Sequence, residues 1–159
     1  MRTRTRTTIG GAPLALGLLL GAVAPASAST PQVFTWTHHA VDPDYFECNG
    51  QPITGDWQTS HRLTVFFNAN GTPQRDTEDM TYSGAFVNPA NGLSIPDSGR
   101  SIFFDTLDAS GNYLTTIVNS VRHSAYLHAA GRSDFQTGAH MGMDNWNAGV
   151  GAACAALGA

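Results

Sequence analysis

The sequence predicts an all-β, single-domain antiparallel fold, with an up-and-down β-barrel preferred over a β-sandwich. Three observations carry that expectation. Residues 61–135 alternate apolar and polar side chains with period two, clusters of turn formers interrupt the alternation at short intervals, and no 3.6-residue apolar stripe runs for more than about ten residues. Consecutive hairpins, rather than long crossovers, join about six to eight such strands. Closing the sheet into a barrel would remove its two exposed edges, which is why the barrel is preferred.

The elements follow in order. Residues 1–28 read as a cleavable signal peptide. Arg2, Arg4 and Arg6 precede an uncharged apolar run at 12–23, and Ala26 and Ala28 fit an A-x-A cut before Ser29. The run falls short of the roughly 20 apolar residues of a spanning helix. The mature chain, 29–159, is then secreted, extracellular and one domain, with no membrane span. Residues 29–47, with Pro31 and Pro43, are expected to form an irregular arm or an edge strand. Residues 48–135 make the β core. Leu63, Val65 and Phe67 form one face of a strand ending at Asn70-Gly71. Met80, Tyr82, Gly84 and Phe86 mark the inward face of the next, which ends in Asn88-Pro89-Ala90-Asn91-Gly92. Ile102, Phe103 and Phe104 read as a buried strand, returned by the loop Asp108-Ala109-Ser110-Gly111-Asn112. Residues 113–121 and 124–130 supply two more, the second carrying Tyr126. The C-terminal segment, 136–159, is glycine-rich, with one short helical turn at 152–157.

Composition narrows the function classes. Loss of the signal takes three of the eight basic residues and none of the twelve acids, leaving five cations against twelve anions, a net charge of −7. Every basic residue is arginine. With no lysine there is no Schiff-base or P-loop lysine, and five scattered arginines form no stripe for phosphates, so nucleic acid is excluded as a partner. Cys48 and Cys154, in an oxidising export route, are expected to form one disulfide. No motif calls for a cofactor.

The residues Cys48, Val65-Phe66-Phe67-Asn68-Ala69-Asn70-Gly71, Asn88-Pro89-Ala90-Asn91-Gly92, Ala130-Gly131-Arg132 and Cys154-Ala155-Ala156-Leu157 together resemble a loosely defined group of small secreted actinobacterial β-proteins of unassigned function. The resemblance spans most of the mature chain. It implies the β fold and the disulfide, and lends no activity.

Three sets of side chains are candidates for chemistry. His38, His39, Asp42 and Asp44, with Glu47 nearby, offer imidazoles and carboxylates to a metal, although no zinc-ligand spacing is matched; the alternative is an exposed acidic arm whose Asp-Pro-Asp starts a turn. Asp105, Asp108, Ser110 and Asn112 place oxygens at near-alternating positions but lack the glycine and glutamate of a calcium loop, which favours a hairpin. Asp76, Glu78 and Asp79 are the acids from which a glycosidase pair would be drawn, or else a solvated strand start. No G-x-S-x-G elbow occurs. Tyr82, Phe86, Phe104 and Tyr126 are the expected lining of a small-ligand pocket of the lipocalin-like kind, with packed core as the alternative. Trp36, Trp57 and Trp146 are placed outside the strands, as sugar-stacking platforms if exposed together and as end plugs if buried. The expectation is a monomeric binding module for a small or apolar ligand or a carbohydrate. A secreted hydrolase using carboxylates or a metal is the runner-up, and an interaction protein without a small-molecule site is third.

Overall fold

The computed structural model describes residues 30–159; the expected signal peptide, 1–28, lies outside the described residues. Seven strands follow one another along the chain: β1 (Gln32–Cys48), β2 (Gln51–Phe67), β3 (Pro73–Val87), β4 (Ser94–Leu107), β5 (Tyr113–Ser124), β6 (His128–Asp134) and β7 (His140–Asp144), then helix α1 (Trp146–Ala156). Each strand pairs antiparallel with its predecessor, giving the sheet order β1-β2-β3-β4-β5-β6-β7. This is the predicted all-β, up-and-down connectivity in a single sheet, not a sandwich. Among the described residues no pairing joins β7 to β1, so the meander has two edges. Among the described residues no helix is long and apolar enough to cross a membrane.

Four hairpin loops share one construction. Asn68, Asn88, Asp108 and Asp134 each accept, on their side-chain oxygen, a backbone N–H two residues on. Gly71, Gly92, Gly111 and Gly138 then reverse the chain at positive φ, which glycine adopts without a Cβ clash. The asparagine and aspartate start each turn and the glycine completes it.

Residues 32–48 are not an irregular arm: they form a 17-residue edge strand. Pro31 precedes it, and Pro43 falls in the register shift between Asp42 and Phe46, where a missing N–H breaks no ladder bond. β2 begins ten residues before the alternation at His61 becomes apolar, because Ile53, Gly55, Trp57 and Thr59 already alternate as buried positions. Gly55 has no side chain because the Trp57 ring lies where its Cβ would be. The helix is also longer than the expected single turn. Its amide at Trp146 donates to Asp144 Oδ1 at 2.6 Å, and its inner side packs on the sheet.

The core sits at one end of the sheet. Cys48, Ile53, Trp57, Phe86, Ile95, Leu127, Ala153, Cys154 and Leu157 are buried together there. The Cys48–Cys154 disulfide spans 106 residues with Cα atoms 5.4 Å apart, fastening α1 to the end of β1. Asn88 and Asn91 donate to the Leu157 carbonyl at 3.0 and 2.9 Å, holding the end of α1 against the β3–β4 turn.

Candidate functional site

Register assigns every strand residue to a face. Trp57 pairs with Ala40 and Gly84, Gly84 with Asp97, and Asp97 with Ser124, and directly paired residues point the same way. One face therefore carries successive rungs across β2, β3, β4 and β5: Gly55, Phe86 and Ile95; then Trp57, Gly84, Asp97 and Ser124; then Thr59, Tyr82, Gly99 and Arg122; then His61, Met80, Ser101 and Ser120; then Leu63, Glu78, Phe103 and Val118; and last Val65, Asp76, Asp105 and Thr116. This face is concave. Arg122 on β5 donates to Tyr45 Oη on β1 at 2.7 Å. Four strand spacings in a flat sheet span about 19 Å, more than these two side chains can bridge, so the sheet curls toward them.

Arg122 is the hub of the lower rungs. It donates from Nε to Tyr82 Oη at 3.0 Å and lies 3.4 Å from Asp97 Oδ1. Its guanidinium faces the rings of Tyr45, Tyr82, Phe86 and Trp146 at 5.3 to 5.9 Å. Asp97, 2% exposed, accepts from Trp57 Nε1 at 2.9 Å. Burial raises the Asp97 pKa, while Arg122 and Trp57 oppose the rise. Burial likewise works against the Arg122 charge, but Tyr45, Tyr82 and Asp97 outweigh it and hold the pKa above its ordinary value. An open groove of about 540 Å³ adjoins Arg122, lined also by His123, His128, Ala129, Gly142, Asp144 and Asn145. A second groove, about 380 Å³, lies across the β1 irregularity and is lined by Asp44, Tyr45, Phe46, Glu47 and Pro52.

The far rungs carry carboxyls. Asp76 and Asp105 are register partners, 6% and 9% exposed, and Oδ1 of each has no hydrogen-bond partner among the described residues. Burial, then the adjoining Asp105 carboxyl, then the charge of Glu78, push the Asp76 pKa up to about 7. Glu78 is engaged elsewhere: His61 Nδ1 lies 2.5 Å from Glu78 Oε1, and Nε2 lies 2.8 Å from Thr59 Oγ1. Thr59 Oγ1 in turn donates to the His38 carbonyl at 2.9 Å. Trp36 stacks on His61 at 4.7 Å.

Of the expected ligand residues, Tyr82 and Phe86 meet beside Arg122. Phe104 does not: it pairs with Thr77 and Ile117 on the convex face and is 42% exposed, as is to be expected when Phe103 occupies the inner position. Tyr126 lies in the β5–β6 connection rather than on a strand, 37% exposed, its carbonyl accepting from Asn145 Nδ2. The metal set is not brought together. Strand alternation sends His38 and His39 to opposite faces, His39 Nε2 bonds Asp56 at 2.6 Å, Asp42 accepts the Asp44 amide, and no three His, Cys, Asp or Glu among the described residues converge on a metal position. The Asp108 carboxylate is consumed by its own loop, and Asp105 faces the concave side. The glycosidase acids separate too. Asp79 is on the convex face in a bidentate pair with Arg100, and Asp76 is buried rather than solvated. The tryptophans differ from expectation in that Trp36 and Trp57 lie within strands; Trp146 lies outside them in α1, and Trp57 is buried in the end core with Trp146 packed against it, as the plug alternative had it.

Arg122 and Asp97 were not among the expected site residues, and Asp76 and Asp105 were expected only in separate sets, a glycosidase pair and a calcium loop, not as partners of one another. The signal for Asp76 was present, since carrying the Met80, Tyr82, Gly84 and Phe86 alternation two steps back reaches Glu78 and then Asp76. Nothing local marks Arg122, whose partners come from three other strands. Comparison with protein-family models, curated proteins and solved structures finds no match for the chain.

Proposed function

We infer that this chain is an extracellular binding protein that holds a small ligand in the groove beside Arg122, rather than a catalyst. The observation that carries the reading is that the larger groove opens against Arg122, the one described arginine of the concave face, whose guanidinium also faces the Tyr82 and Phe86 rings. Its wall combines apolar Val121, Ala129, Ala130 and Met143 with a few convergent polar groups, a make-up usual for a small-molecule site. His123, His128, Asp144 and Asn145 supply donors and acceptors around the opening. No nucleophile stands against a base there, so the arrangement orients a ligand without activating one.

Ala129 lines the groove without belonging to the Arg122 cage. Ala129→Trp is expected to fill the groove and abolish ligand uptake while leaving the far-UV circular dichroism unchanged. The check is chemical-shift perturbation of the unmodified protein and the variant by a fragment library of mono- and disaccharides and small aromatic alcohols. Shifts at groove amides that persist in Ala129→Trp would refute the assignment, as would no groove shifts in either protein.

A further inference from the structure

We propose that the far end of the concave face is a second site, separate from the Arg122 groove, in which the Asp76–Asp105 carboxyl pair takes up a primary ammonium group. Two buried carboxyls standing opposite one another are unfavourable unless a proton or a cation compensates them. Among the described residues no arginine stands on the concave face at this end, and the nearby His61 ring is engaged by Glu78. By register Arg62, Arg75, Arg100 and Arg132 all point to the convex face, where Arg75 covers the Phe66 ring and Arg100 is held by Asp79. Arg122 alone faces inward, six residues along each strand from the pair, about 20 Å. It is already engaged by Asp97, Tyr45 and Tyr82.

The unpartnered Oδ1 atoms of Asp76 and Asp105 provide two acceptors within one rung, and Thr116 stands next in the same rung as a third. An ammonium group has three N–H donors and one positive charge, which matches that set. A metal ion matches it less well, because no third carboxylate or imidazole closes on the position. Around the pair stand Glu78 on β3, engaged by His61 of β2, and Tyr113 on β5, whose hydroxyl pKa is raised by burial and then by Asp76, Asp105 and Glu78. With Asp76 titrating near pH 7, the pair retains a proton in mildly acidic solution, and an arriving ammonium displaces it.

The probe is butylammonium chloride, titrated calorimetrically into the full mature protein at pH 6 and pH 8, beside 1-butanol and calcium chloride. Saturable butylammonium binding is expected, about tenfold tighter at pH 8 as the pair loses its proton, with proton release at pH 6 and no saturable heat from butanol. Asp105→Asn is expected to weaken it tenfold or more, and Ala129→Trp to leave it unchanged. Butanol binding as tightly as the amine, calcium binding more tightly than the amine, or no amine binding at pH 8 would each overturn the proposal. If Asp105→Asn does not fold, Thr116→Val and the pH series on the unmodified protein decide. Loss of amine binding in Ala129→Trp would place the ammonium in the Arg122 groove and overturn the second site.

Discussion

Asp76 is the residue at which burial and charge conflict most openly. Its carboxyl titrates near 7 in the fold, against about 3.9 in an unfolded chain. Between those values the folded state holds a proton that the unfolded state has released, so the contribution to stability is complete below about pH 4 and is lost as pH rises through 7. Asp97, also raised by burial, acts in the same direction. Urea unfolding at pH 5 and pH 8 is expected to show lower stability at pH 8, by up to about 2.7 kcal/mol from the two pH units between 5 and 7 at ~1.4 kcal/mol each. Asp76→Asn, which cannot ionise, is expected to flatten most of that slope. An unchanged slope would mean that Asp76 does not control it. Arg122 shows the opposite balance. Its charge is buried too, but a carboxylate, two phenols and four rings surround it, and the result is a cross-brace that holds the curl of the sheet.

At the scale of elements, the hairpin loops were the most legible part of the sequence. Asn68 to Gly71 and Asp108 to Gly111 carry their whole conformation in local chemistry, since an Asx side chain caps two amides and a glycine takes positive φ. Gly111→Ala has open space for its new Cβ, so only the backbone conformation opposes it. The expected loss is about 1–2 kcal/mol by thermal or urea unfolding, with Gly111→Asn recovering part of it. β1, the first part of β2, and α1 were less legible for a common reason. The outer face of β1 is solvated and its inner residues are of mixed polarity, the early β2 core positions include a glycine and a threonine, and α1 carries Gly149 and Gly151, which weaken any helical signal. Those elements are fixed by what they pack against. The same holds for the candidate site. Tyr82 and Phe86 could be placed inward from alternation alone, whereas the Arg122 hub required the strand register, and Phe104 fell on the wrong face because a three-residue apolar run does not reveal which residue points in.

For the whole molecule, the disulfide joins the end of the first strand to the terminal helix across a sheet whose edge strands do not meet. Closing a loop near 100 residues is worth about 4.7 kcal/mol in the chain-entropy account. The Cys48→Ala/Cys154→Ala double variant is therefore expected to unfold at markedly lower urea concentration, with a loss of several kcal/mol. A loss under 1 kcal/mol would show that core packing alone holds the helix. The meander has a further consequence for the order of events during synthesis. Each strand docks only on the one before it, so the sheet can be laid down vectorially as the chain emerges, with no early strand waiting for a distant partner. Cys154 follows all seven strands, so the covalent latch can engage only once the whole sheet has been delivered, and its oxidation serves as a marker of finished chains.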